Sequence, residues 1–240
     1  MNFLITICAR GGSKGIPGKN IKKLNNIPLI AYSIKVAQQF KNYFGNVDII
    51  LSTDSFEIKK VAEEYGLVTD YIRPVEMAGD TIGKMEAIKD VLCFNEQKLR
   101  IKYDYVIDLD VTSPLRNLND LINAFEIINT NSNAINLFSV SPANRNPYFN
   151  MVEENKNGFF TLIKSPENTV LARQAAPKVY DLNASFYFYK RFFFDFGYNF
   201  AITDKSLVYV VPHLCFDLDH PIDFEFLSFL LANNKLDFEL

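Results

Sequence analysis

Short apolar runs of five or six residues alternate with helix-period patterns through the first two thirds of the chain. Phe3–Cys8, Val47–Ser52, Leu67–Tyr71, Tyr105–Leu109 and Ile135–Val140 are bounded by Gly, Asp, Ser or Pro, as strands are. Between them lie helical patterns. Pro28 stands at a first helical position, and Ile30, Ile34 and Ala37 follow at i, i+4 and i+7. Ser55 opens a second pattern in which Ile58, Val61 and Ala62 share a face and Gly66 marks the stop. This β-α-β-α order predicts an α/β fold with a mainly parallel sheet covered by helices on both faces, binding its ligand beyond the carboxyl ends of the strands.

From Ser141 to Asn183 the rhythm breaks into Asn- and Pro-containing loops with two short β-like pieces, "PYFNMV" and "GFFTLI". The segment 141–183 is expected to be an excursion from one domain spanning 1–240, either a lid or a dimer arm. "KRFFFDF", from Lys190, is expected to start a helix that covers the sheet, or to form part of a subunit interface.

Composition narrows the function classes. A chain of 240 residues suits one well-filled domain, and 48% hydrophobic with 22% charged residues is ordinary for a globular chain. The net charge of −3 argues against a general nucleic-acid binder, so any polyanion site must be local. Cys8, Cys93 and Cys215 have no CxxC spacing, which excludes a disulfide framework or zinc site and fits a reducing cytoplasm. "MNFLITICA" lacks a basic leader and is one strand long, and no run approaches the roughly 20 apolar residues that span a bilayer, so no membrane association is expected.

The densest candidate chemistry follows the first strand, in "ICARGGSKGIPGKN". Gly11, Gly12, Gly15 and Gly18 free the backbone to bring N–H groups onto an anion, while Arg10, Lys14 and Lys19 add full charges. That density suits a triphosphate. The P-loop pattern fails, because Gly12 to Gly18 is one residue too long and Asn20 follows Lys19; the dinucleotide pattern GxGxxG is absent too. A basic surface loop with turn-forming glycines is the alternative.

"ARGGSKGIPGKNI" resembles the signature of the CMP-sialic acid synthetases, the cytidylyltransferases that activate nine-carbon α-keto sugar acids. "IILSTDSFEI", "YIRPVEMAGDT", "VTSPLR", "RQAAPKVYDLNASFYFYKR" and "FDLDHPIDFEF" resemble further blocks of that family, in family order, over most of the chain. The resemblance implies a Rossmann-like three-layer α/β/α nucleotidyltransferase fold, CTP as one substrate, a nonulosonic acid as the other, Mg²⁺ as cofactor, and a homodimer with 141–183 crossing to its partner.

It also implies residue roles. Ala9, Arg10, Gly11, Gly12, Ser13, Lys14, Lys19, Asn20, Arg73, Asp80 and Lys84 would surround the nucleotide; Asp110, Thr112, Ser113, Arg173, Gln174 and Asn183 the sugar; Asp217 and Asp219 the metal. Arg10, Lys14 and Asp217 are the catalytic candidates, Asp217 as a possible base. Arg173 is the cation for the sugar carboxylate, with Arg145 a weaker one. If "LCFDLD" is extended, alternation puts Asp217 and Asp219 on one face, a donor set that suits Mg²⁺ together with phosphate and water. Arg73 in a surface ion pair, the two late aspartates as a helix cap, and Asp110 as a turn cap are the alternatives from the residues alone.

Two positions depart from the sialic acid synthetases proper. Asp110 stands where those carry Gln, and Lys84 replaces a small polar residue, both of which point towards 5,7-diamino relatives such as legionaminic acid; an acidic side chain there could accept from an acylamino N–H or a hydroxyl of the sugar, or reach the Mg²⁺. N-acetylneuraminate is the alternative sugar. A 3-deoxy-manno-octulosonate enzyme typically lacks the "GGSKG" spacing, and a non-catalytic nucleotide-binding homologue would not need Arg10, Lys14 and both late aspartates. His213 and His220 have no triad partners in sequence, His220 belonging at a helix start; the cysteines lack a neighbouring base. Tyr187 and Tyr189, alternating with Phe186 and Phe188, read as strand packing.

Overall fold

A computed structural model describes residues 1–12, 15–79, 83–165 and 176–240. Ten strands and five α-helices are described, in chain order β1 (Phe3–Cys8), β2 (Lys23–Leu24), β3 (Ile27–Pro28), α1 (Leu29–Phe44), β4 (Val47–Ser52), α2 (Phe56–Glu64), α3 (Lys84–Leu99), β5 (Tyr105–Leu109), α4 (Leu118–Thr130), β6 (Asn136–Pro142), β7 (Val152–Glu154), β8 (Phe160–Leu162), β9 (Tyr180–Lys190), β10 (Ser206–Val210) and α5 (Pro221–Ala232).

Six strands form the main sheet in the order β10-β6-β9-β5-β1-β4. β1 runs parallel to β4 and β5, and β10 parallel to β6, whereas β9 is antiparallel to both neighbours. Strand alternation divides the side chains between two cores. On one face Phe3, Ile5, Ile7, Tyr105, Ile107, Phe186 and Phe188 pack with α1, α2, α4 and α5; on the other Leu4, Val106 and Tyr189 meet Met85, Ile88, Val91 and Leu92 of α3. The result is three layers, helix on sheet on helix.

Local sequence sets the element ends. Ser55 Oγ accepts the Ile58 amide at 3.3 Å and so caps α2, and Gly66, at φ 81°, ends it. Asn25 and Asn26, both at positive φ, close the β2–β3 hairpin as side chains able to enter that region. Pro28 is the cap of α1 rather than its first residue.

The expected strand Leu67–Tyr71 is not a strand. The segment alternates, with Leu67, Thr69 and Tyr71 buried and Val68 76% exposed, but no ladder forms. Its order comes from local bonds instead, Leu67 N–H to Ala62 O and Tyr71 N–H to Thr69 Oγ1, so β4 remains the sheet edge. "LCFDLD" carries no ladder either. "KRFFFDF" begins with a 3-10 turn, Arg191–Asp195, that presses Phe193 and Phe194 onto Tyr189.

Candidate active site

The carboxyl ends of β1, β4 and β5 open into a cleft of about 450 Å³. Cys8, Arg10, Gly15, Lys19, Asn20, Arg73, Lys84, Asp110, Thr112 and Asp219 are among the residues that line it. Four of these side chains are cations and two are carboxylates, so the cleft is positive although the chain is not.

The first loop is fixed at several points. Ala9 N–H donates to Ser52 O, which prolongs the β1–β4 ladder to the rim, and Gly11 N–H donates to Asp54 Oδ1 at 2.8 Å. Asn20 is buried and its Nδ2 donates to Arg10 O at 2.9 Å, closing the loop on itself. Lys19 Nζ donates to Leu218 O at 2.8 Å and lies 3.8 Å from Asp219 Oδ1, tying the loop to the late aspartates. Gly12 is exposed. Arg73 is no surface ion pair: it is 6% exposed, its Nε donates to Ser52 Oγ at 2.9 Å, and its amide donates to Thr53 O.

Strand alternation in "YVIDLD" turns Tyr105, Ile107 and Leu109 into one core and leaves Asp108 and Asp110 on the face that α3 covers. Lys84, the first residue of α3, meets both: Nζ lies 2.7 Å from Asp108 Oδ2 and 2.7 Å from Asp110 Oδ2. The Asp110 contact is an aligned hydrogen bond, whereas that to the fully buried Asp108 is an ion pair without such alignment. Burial works against the Lys84 charge, but the two carboxylates override it and raise the ammonium pKa well above its ordinary value. Burial likewise opposes the Asp110 charge; Lys84 and the Thr112 amide and hydroxyl overcome it and hold the carboxyl at about 2. Lys84 Nζ also lies 5.2 Å from the Tyr187 ring, so Tyr187, beside Asp108 in the ladder, has more than a packing contact.

Leu218 N–H donates to Thr112 O at 2.9 Å, which brings Asp217 and Asp219 to this end of the sheet. Asp219 is exposed on the cleft. Asp217 Oδ1 is buried with no hydrogen-bond partner among the described residues, and burial, then the charges of Asp110 and Asp219, push its carboxyl up to about 7. A buried, unpartnered carboxylate oxygen beside an exposed carboxylate is a donor set that fits a hard divalent cation.

Behind the cleft, Ser113 Oγ donates to Asn183 O at 2.6 Å, and the Asn183 amide bridges Ser139 and Ser141 of β6. Both residues are buried and face inward. Ala184, at φ 54°, accompanies a break in the β6–β9 register, so the "NAS" stretch is a bulge in β9 rather than a turn before it. Arg116, which the sequence reading passed over inside "VTSPLR", is 2% exposed and gathers this junction, donating to Ser113 O, Ser185 O and Oγ, Ser33 Oγ and Asp110 O.

Ser13, Lys14, Asp80, Arg173 and Gln174 lie outside the described residues. Arg145 does not line the cleft. Burial first, and Asp108 next, push the Cys8 thiol up to about 12, so it stays protonated at neutral pH. His220 caps α5, its amide donating to Asp223. His213 has a partner invisible in sequence, Asp120 at 2.9 Å, in a pair set among Tyr209, Phe238 and the start of α4.

A family model described as "Cytidylyltransferase" matches residues 4–223. The chain is 40% identical over 234 residues to "Post-translational flagellin modification protein B" of Campylobacter coli, and equally to "CMP-N,N'-diacetyllegionaminic acid synthase" of Campylobacter jejuni subsp. jejuni; each alignment covers 98% of this chain and 97% of the relative. Among solved structures, a CMP:2-keto-3-deoxy-manno-octonic acid synthetase complexed with CTP superposes with a TM-score of 0.68 at 15% identity, covering 98% of this chain and all of that one. At that identity the likeness speaks for the fold.

Proposed function

The chain belongs to the cytidylyltransferase family, and we propose that it joins CTP to a nine-carbon α-keto sugar acid, releasing pyrophosphate, with a 5,7-diamino sugar such as N,N'-diacetyllegionaminate as acceptor. The observation that carries this reading is the concentration of Arg10, Lys19 and Arg73 around one cleft in a chain of net negative charge. A triphosphate needs its α-phosphorus held for attack and its β- and γ-phosphates neutralised for departure, which fixed cations provide.

The sugar's C2 hydroxyl attacks the α-phosphorus; the new O–P bond forms as the bond to the pyrophosphate oxygen breaks, and the hydroxyl proton passes to the carboxylate of Asp217, which burial pushes up to about 7. Arg10, Lys19 and Arg73 hold the phosphates. Asp110, already ionised and aligned by Thr112, accepts from an acylamino N–H or hydroxyl of the sugar. The Asp110 and Lys84 departures from sialic acid synthetases and the name of the Campylobacter jejuni relative both support a diamino sugar. Asp217 and Asp219 would hold Mg²⁺, which supplies charge neutralisation of the phosphates. Among the described residues no group of three or more His, Cys, Asp and Glu side chains is arranged for a metal, so phosphate and water would supply the remaining ligands.

The hairpin β7–β8 exposes all six strand residues together with Phe159, which supports a homodimer with 141–183 as the arm. Free thiols at all three cysteines support a cytoplasmic protein, and among the described residues no helix is long and apolar enough to cross a membrane.

Pyrophosphate release from CTP and Mg²⁺, with N,N'-diacetyllegionaminate, pseudaminate and N-acetylneuraminate offered separately and Arg10→Ala as control, tests the proposal. Release is expected with a diamino acid and far less with N-acetylneuraminate. Equal or faster turnover of N-acetylneuraminate would overturn the sugar assignment; binding of CTP without release with any of the three would overturn the reaction.

A further inference from the structure

Two pairs of aspartates, each with the spacing Asp-x-Asp, reach this end of the sheet, and their oxygens are occupied very differently. Asp108 Oδ1 accepts from Thr6 Oγ1 at 2.8 Å. Asp110 Oδ1 accepts twice from Thr112, each time at 2.8 Å. The remaining oxygen of each carboxylate lies 2.7 Å from one atom, Lys84 Nζ. In the later pair, among the described residues, Asp217 Oδ1 has no hydrogen-bond partner, and Asp219 has Lys19 at 3.8 Å.

Lys84 is also in an unusual place for a cation. It is the first residue of α3, where the positive end of the helix dipole favours acidic side chains and disfavours lysine. Only the two carboxylates in front of it make that position acceptable. Conversely, without Lys84 the first pair would be two carboxylates on one strand face whose Oδ2 atoms have lost the cation that contacts both, an arrangement open to a hard cation. The ammonium and a divalent ion cannot share that space. An ion would need its oxygens at about 2.0–2.1 Å for Mg²⁺, with Nζ removed from between them.

We propose that Lys84 is a resident cation that fills the Asp108–Asp110 pair and denies it to a divalent ion. Asp110 therefore keeps a fixed carboxylate orientation towards the cleft, and a divalent cation is confined to the later pair. The role rests on the cytidylyl-transfer reading only for what the later pair binds; the exclusion at Asp108–Asp110 stands on the geometry alone. Lys84 thereby acts as a positioning residue for Asp110.

Counting Mn²⁺ ions bound to the full chain, by the electron paramagnetic resonance of the free ion and by calorimetry without nucleotide, tests it. Lys84→Gln is expected to bind one Mn²⁺ more than wild type, Lys84→Arg the same number as wild type, and Lys84→Gln combined with Asp108→Asn to fall back to the wild-type count. A merely structural lysine would not add a site when removed. Lys84→Met repeats the measurement should the glutamine variant fail to fold. An unchanged count in a folded Lys84→Gln or Lys84→Met protein overturns the inference. Repeated with CTP, the wild-type count reports separately on the functional reading: more Mn²⁺ retained than by an Asp217→Asn, Asp219→Asn double variant agrees with a cation at that pair, and no difference removes it while leaving the comparison between Lys84 variants intact.

Discussion

A Cβ placed on Gly15 would stand 2.7 Å from the main-chain carbonyl oxygen of Asp219, closer than real Cβ contacts come. The glycine-rich loop after the first strand and the aspartates near the far end of the chain therefore touch through backbone, with no side chain that could give way. Gly15→Ala must displace one of them. A shift on the scale of an ångström in positioning groups costs about 10–100-fold in rate, so kcat/KM for CTP is expected to fall by that order. Steady-state pyrophosphate release measures it, and a value within about twofold of wild type would show that loop and aspartates move independently.

Much of this was legible from residue patterns, and what was not has a physical cause. β1 and β5 are buried on both faces of a parallel region and β4 nearly so, so they appear as mainly apolar runs, interrupted at Thr6, Asp48 and Asp108, that propensity picks out. Leu67–Tyr71 has the same appearance because its side chains are buried in alternation, but apolar pattern records burial and not the presence of a ladder partner. The antiparallel direction of β9 leaves no local mark in "SFYFYK". At the site, Arg10, Lys19, Asn20 and Arg73 were found by charge and family block, whereas Arg116 was not, since a buried arginine with main-chain partners has no sequence signature. Nor could spacing reveal that Lys84 faces Asp108 or that His213 faces Asp120.

Arg116 carries a positive charge almost out of reach of water, and its described partners are main-chain carbonyls and hydroxyls. Burial pushes its guanidinium down to about 10, against the charges of Asp110 and Asp108, so it stays protonated at neutral pH. Arg116→Met would take a charged donor from Ser113 O, Ser185 O, Ser33 Oγ and Asp110 O at once, an expected loss of about 3–5 kcal/mol. Arg116→Lys keeps the charge but not the planar fork and should lose about 1–3 kcal/mol. Urea unfolding would read both as shifts in midpoint at constant slope, and a midpoint for the methionine variant equal to wild type would refute the role given to the guanidinium.

The His213–Asp120 pair predicts a pH dependence of stability away from the cleft. Burial opposes the imidazolium, but the hydrogen bond to Asp120, the Leu214 carbonyl and the charges of Asp120 and Asp237 raise the pKa above 6.5. A histidine whose folded pKa is raised contributes stability that is complete below the unfolded value and is lost as pH rises through the folded one. Thermal stability should therefore decline as pH climbs above 6.5, and His213→Gln should flatten that decline. The His213 ring stacks on Phe238 at 3.6 Å, so hydrogen exchange at residues 236–240 should quicken over the same range. Identical pH profiles for the two proteins would rule the pair out as the cause.

The hairpin of β7 and β8 makes the last prediction. A two-stranded hairpin is marginal in water unless a third surface covers it, yet all six residues of these strands are exposed and Phe159 and Phe160 are 71% and 64% accessible. Val152 and Leu162, paired across the hairpin, and Ile163 are exposed as well, as are Tyr180 and Leu182 at the start of β9. A second copy of the chain is the partner that the homodimer reading supplies, and a two-fold contact would let each hairpin cover its counterpart. Phe160→Glu places a charge in the middle of that contact and should convert dimer to monomer, while the melting transition of the rest of the fold is retained. Sedimentation velocity at micromolar concentration distinguishes the two states. Wild-type protein that sediments as a monomer would remove the arm's role, and a dimer that survives the glutamate would place the contact elsewhere on the molecule.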